Sequence, residues 1–105
     1  MCFVWILFQF FVMIKKTDSN HKKIMDMCRN IPTLSVYSTH MVGKGFPDIV
    51  VGYKGKNYLF EIKDGDKPKS ATKLTESERK FHNGWNGQID VVYSFNDILN
   101  VLEIW

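Results

Sequence analysis

Cysteine is nearly absent from this chain. Cys2 and Cys28 are the only two, and they form no C-x-x-C pair. Neither a disulfide framework nor a cysteine zinc site can be built from them. Cys28 falls in a helical segment and reads as a small buried residue, which suits a reducing cytoplasm. No internal repeat and no low-complexity segment is visible. A strong charge excess is also missing: the formal net charge is +3 and the pI is near 8.9. That balance is compatible with a polyanionic partner without demanding one. The lysines are nevertheless grouped, with Lys15, Lys16, Lys22 and Lys23 early and Lys54, Lys56, Lys67, Lys69 and Lys73 around the middle. Such groups are ordinarily a solvated face.

No apolar run reaches the roughly 20 residues that a membrane-spanning helix needs. The longest, "MCFVWILFQFFVMI" at 1–14, has no basic stretch before it and no A-x-A-like site after it, so it makes a poor secretory signal. It reads as an extra packed element, a short membrane-associating anchor, or upstream sequence ahead of a start at Met13. Composition changes sharply there, which favours the last reading. Membrane association is not expected, and residues 15–105 are taken as the one folded domain.

With 45% hydrophobic and 14% aromatic residues, a packed core is within reach. "TDSNHKKIMDMCRNIP" predicts a helix, with N-cap choices at Thr17 to Asn20, an apolar stripe of Ile24, Met27 and Cys28, and a stop at Pro32. "TLSVYS" alternates and predicts a short strand. Two more strands follow at about 46–53 and 57–64. Thr75 and Glu78 have capping-box spacing and open a second helix, which Gly84 or Gly87 closes. "QIDVVYS" predicts a strand, and Ser94 caps a last helix. The order α-β-β-β-α-β-α, with a helical crossover before the fourth strand, implies an α/β domain with a mixed sheet flanked by helices.

The central stretch "GFPDIVVGYKGKNYLFEIKDG" places Asp48, Glu61 and Lys63 inside or beside its most strand-like segment. Buried charges require partners or an ion. If Gly55-Lys56 forms a type II′ turn, Asp48 faces Lys63, Val50 faces Glu61 and Ile49 faces Ile62. One face then carries Asp48, Val50, Glu61 and Lys63. The other carries Ile49, Val51, Tyr53, Tyr58, Phe60 and Ile62. Two carboxylates so placed, with the backbone carbonyl of Ile62 between Glu61 and Lys63, suit a hard divalent cation, Mg²⁺ or Mn²⁺. Lys63 beside it could orient a water or stabilise charge growing on phosphorus. A cross-strand Asp48–Lys63 ion pair with Glu61 at the edge explains the same spacing.

Pro47-Asp48 followed by Glu61-Ile62-Lys63, in the context "VGKGFPDIVVG", "EIKDGDKPKSATKLTESE" and "WNGQIDVVYS", resembles the PD-(D/E)XK nuclease superfamily. The closer likeness is to small VRR-NUC and Holliday-junction-resolvase-like nucleases of phages and bacteria, over about residues 17–103. The resemblance implies a restriction-endonuclease-like core and a metal-dependent endonuclease acting on DNA phosphodiesters; branched DNA, flaps, nicked duplex and unspecific duplex are all open as its substrate, structure-selective cutting of branched or nicked DNA among them. Asp48 and Glu61 would hold Mg²⁺ or Mn²⁺, Lys63 would be the catalytic lysine, and no small-molecule cofactor is implied. The setting would be a bacterial cytoplasm or a phage-infected host. A symmetric junction would call for a homodimer. Many members carry a first-helix Glu that completes the metal site. Here "DSNHKKIMD" offers only Asp18, Asn20 or His21, which favours one metal and keeps open a catalytically inactive nucleic-acid-binding module on the same fold.

Further contacts to DNA are expected from the glycine-flanked Lys44 and from Lys67, Lys69 and Lys73, with His40 near the scissile phosphate. Ser70 belongs to the same loop. Phe81 and Trp85 read as core, and His21 and His82 lack metal-ligand spacing.

Overall fold

The computed structural model describes residues 20–67 and 73–104. The apolar extension at 1–14, Lys69 and Ser70 lie outside the described residues. The elements are α1 (His21–Arg29), β1 (Ser35–Ser38), β2 (Ile49–Tyr53), β3 (Lys56–Ile62), α2 (Glu76–Gly84), β4 (Asp90–Val92) and α3 (Phe95–Leu102). The four strands form one mixed sheet in the order β1-β2-β3-β4. The first two pairings are antiparallel and β3–β4 is parallel. No helix of the described residues is long and apolar enough to cross a membrane.

Alternation along the strands builds the core. Ile49, Val51, Phe60, Ile62 and Val92 point to one face and are almost wholly buried. Ile24, Met25 and Cys28 of α1 and Ile98 and Leu102 of α3 cover them, with Leu34 at the margin. The stripe on α1 differs from the expected one. His21, Ile24, Met25 and Cys28 are buried, while Met27 is 38% exposed. The buried set follows i, i+3, i+4, i+7, a wider helical face than the three-residue stripe read from the sequence.

The hairpin register is corrected by two residues. The turn is Lys54-Gly55, not Gly55-Lys56. Both residues have positive φ, 52° and 77°, as a type I′ turn requires. Observed partners are Ile49 with Phe60, Val50 with Leu59, Val51 with Tyr58, Gly52 with Asn57 and Tyr53 with Lys56. A glycine serves the second position of a type I′ turn as well as the first of a type II′ turn, so Gly55 alone does not fix the choice. A slip of two preserves every face, because side chains alternate with period two.

Side chains cap the starts of α2 and α3. Thr75 and Glu78 form the expected capping box on α2, and Ser94 caps α3. β4 is shorter than the predicted strand because Gln88 stands in for backbone there. Its side chain accepts from Leu59 N–H (2.6 Å) and donates to the Leu59 carbonyl (3.0 Å). Phe81 and Trp85 are not part of the main core. They form a separate aromatic cluster with Phe46, in which Phe81 and Trp85 stack at 5.0 Å and Trp85 stays 40% exposed.

Candidate active site

The site lies at the open end of the β2–β3 hairpin, on the face opposite the core. Asp48 is fixed there through three of its groups. Its N–H donates to the Phe60 carbonyl at 3.0 Å and its own carbonyl accepts from Thr39 N–H at 2.7 Å. Its carboxylate Oδ2 accepts from Ile62 N–H at 2.8 Å. The side chain thus takes the place of a backbone carbonyl where β2 leaves the ladder. Thr39 also donates through Oγ1 to the Pro47 carbonyl at 2.8 Å, clamping the Pro47-Asp48 corner. In an extended strand the N–H and C=O of one residue point to the same edge. The Ile62 carbonyl is therefore aimed to the side on which Asp48 sits.

The corrected register improves the pairing. It ends at Ile49 with Phe60, and beyond it Asp48 bonds the Phe60 carbonyl and the Ile62 N–H on either side of Glu61, so its carboxylate neighbours Glu61, where the predicted register set it across from Lys63. Glu61 is 2% exposed, and its Oε1 is buried with no hydrogen-bond partner. Burial, and then the neighbouring Asp48 and Glu78 carboxylates, push its carboxyl up to about 10. At neutral pH and without a cation, Glu61 therefore holds a proton. Two adjacent carboxyl groups, one of them buried with an orphaned oxygen, are a donor set that a hard divalent cation suits. Among the described residues no group of three His, Cys, Asp or Glu side chains is arranged to hold a metal. The fit thus rests on two carboxylates and the Ile62 carbonyl.

Lys63 extends the β3 ladder through its N–H, which donates to the Val92 carbonyl at 3.0 Å. Its side chain is buried and does not pair across the hairpin with Asp48. Its Nζ donates instead to Glu78 Oε1 of α2 at 2.9 Å. Burial alone would raise the Glu78 carboxyl. The Thr75 N–H and the Lys63 ammonium outweigh it and hold Glu78 below the usual value. His82, one turn further along α2, has a buried Nε2 with no hydrogen-bond partner. Burial holds its imidazole below the usual value.

The remaining predicted residues are dispersed. Asn20 touches the site only through backbone: its Nδ2 donates to the carbonyls of Lys63 (3.0 Å) and Tyr93 (3.2 Å), stapling the start of α1 to the ends of β3 and β4. His40 packs edge-on against His21, ring centroids 5.6 Å apart. Lys44 and Lys73 are exposed and Lys67 is half-buried. The loop that carries Lys44 lies against the first turn of α2. A Cβ on Gly45 would meet the Ser77 carbonyl oxygen at 2.1 Å. Only glycine permits that approach, and its φ of 82° suits glycine as well.

Sequence reasoning missed Glu78 as a member of the site. The capping box explains it locally, and only the sheet–helix packing brings it to Lys63. A cavity of about 760 Å³ beyond the ends of β3 and β4 is lined by Asn20, Asp64 and Tyr93 among others, but not by the carboxylate pair. Compared with protein-family models, with characterised proteins and with solved structures, the chain matches none.

Proposed function

We propose that the chain is a divalent-cation-dependent endonuclease that hydrolyses DNA phosphodiester bonds on a restriction-endonuclease-like fold. The observation that carries this reading is the half-buried Asp48 carboxylate set against the buried Glu61 carboxyl, with the buried Lys63 two residues on from Glu61. Asp48, Glu61 and the Ile62 carbonyl would hold Mg²⁺ or Mn²⁺. The bound cation would supply a Lewis acid for a phosphate oxygen and lower the pKa of a water. Lys63, held close to the pair, stabilises negative charge on the phosphoryl group or orients the attacking water. Asp48 cannot swing away, because Ile62 N–H holds its carboxylate. The hairpin thus presents the pair in a fixed geometry, as hydrolysis of a positioned phosphodiester requires.

Lys44, Lys67, Lys69 and Lys73 are assigned to the DNA backbone, where their contribution should fall with salt. Branched or nicked DNA is the expected substrate, in a bacterial or phage-infected cytoplasm, with a homodimer if the substrate is symmetric. The test is cleavage of a labelled panel of duplex, nicked, flap and four-way-junction DNA with Mg²⁺, Mn²⁺ or EDTA. Wild type should cut with either metal and stop with EDTA. Asp48→Ala should abolish cutting, and wild-type cutting by that variant would sink the assignment.

One observation favours a second reading, a nucleic-acid-binding module without hydrolysis. Lys63 is ion-paired, and among the described residues two carboxylates serve the cation. That module would bind DNA in a salt-sensitive way, and every metal in the panel would leave the DNA intact.

A further inference from the structure

We propose that Glu78 is the positioning residue for Lys63, and that it keeps the ammonium off the Asp48–Glu61 pair so that a cation can take that place. The inference rests on the reading of Lys63 as the catalytic lysine. A lysine next to the Asp48 carboxylate would ordinarily be drawn toward it, since opposite charges in a partly buried site attract strongly. Here Glu78 competes for the ammonium. The Lys63 Nζ goes to Glu78 Oε1 at 2.9 Å, and both side chains are largely shielded, at 9% and 18% exposed.

Glu78 is itself held from three directions. The same Oε1 accepts from Thr75 N–H at 2.8 Å, and Glu78 N–H donates to Thr75 Oγ1 at 3.3 Å. The turn of α2 that carries it rests against Gly45, three residues before Asp48, with no room for a Cβ between them. The corner that fixes the metal-side carboxylate therefore also fixes the helix that fixes the lysine. One carboxylate oxygen serves as helix cap and as lysine anchor, so the ammonium has a defined position before any substrate arrives. This is the preorganisation that charge stabilisation in a transition state needs.

The test measures single-turnover cleavage, DNA affinity and calorimetric Mn²⁺ binding in wild type, Glu78→Gln, Thr75→Ala and Lys63→Met. Glu78→Gln keeps an acceptor for Thr75 N–H but loses the charge that holds the ammonium. Its cleavage rate should fall by about 10-fold to 100-fold, the range for a lost charge-assisted contact. DNA and Mn²⁺ affinities should stay at wild-type values. Thr75→Ala should melt earlier and lose less cleavage than Glu78→Gln, because the backbone N–H on Glu78 Oε1 remains; a loss as large as that of Glu78→Gln would overturn the charge as the element that positions the lysine. Wild-type cutting by Glu78→Gln while Lys63→Met is inactive overturns the Glu78 role alone. A fall in Mn²⁺ affinity in Glu78→Gln also overturns it, since Glu78 would then be a metal ligand. Wild-type cutting by Lys63→Met overturns the reading beneath it.

Discussion

Phe60, Glu61 and Ile62 end β3 and Lys63 follows directly, and all four are buried. They nevertheless belong to two different regions. Phe60 and Ile62 face α1 and α3 and are closed over by hydrocarbon. Glu61 and Lys63 face away from that core and meet Asp48 and Glu78. Burial is the same on both faces, so burial does not distinguish a structural position from a chemical one. The partners do. On the core face the side chains packed around Phe60 and Ile62 form an apolar cluster. On the other face a carboxyl is raised to about 10 and an oxygen is left without a partner. A native domain tolerates few such groups, and each asks for an explanation. A bound cation would supply one here.

The comparison can be broken by changing one residue on each face. Phe60→Ala should destabilise by about 3–5 kcal/mol, the range for truncating a large buried aromatic, and a urea titration would show it. Much of the stability of so small a domain would be gone. Glu61→Gln, the next residue, should do the reverse without metal. The amide needs no proton to be buried, so melting at pH 8 should occur at or above the wild-type temperature while DNA cleavage is lost.

The pH dependence sharpens the contrast. Between the ordinary glutamate value and about 10, native metal-free protein holds a Glu61 proton that the unfolded chain has released. Stability is then full below the ordinary glutamate value and declines as pH rises through that window. Thermal melts of metal-free protein from pH 5 to pH 9 should show this slope, and Glu61→Gln should flatten it. Equal slopes in the two proteins would remove the raised carboxyl from consideration. A smaller effect is expected at the helix that bridges to the site. Thr75→Ala removes a satisfied N-cap side chain and should cost about 1 kcal/mol in a denaturant titration. The smallest is at the exposed Lys22–Asp26 pair on α1, where Lys22→Ala should leave the denaturation midpoint in place.

Much of this was readable from the sequence where local rules decide. The faces of β2 and β3 follow from alternation alone, so they survive an error in the turn. The caps at Thr75 and Ser94 follow from spacing. What was hidden depends on tertiary packing. Gly55 satisfies two turn types, and only the strand pairing selects Lys54-Gly55. Met25 is buried in place of Met27 because the orientation of α1 is set by the sheet beneath it. Glu78 reads as a cap because Thr75 is three residues away, whereas Lys63 is fifteen residues away and meets it only after α2 packs. The aromatic run Phe81–Trp85 has helical spacing and reads as core, yet it pairs with Phe46 at the edge of the site.

The most direct measurement is a calorimetric Mn²⁺ titration at pH 8 in two buffers of different ionisation enthalpy, on wild type and Asp48→Ala. A cation site at Asp48 and Glu61 predicts binding to wild type with release of about one proton, since the ligand must deprotonate to bind metal. It predicts little or no binding to Asp48→Ala. Equal binding by both proteins, or binding to wild type without proton release, would contradict a cation site at this pair.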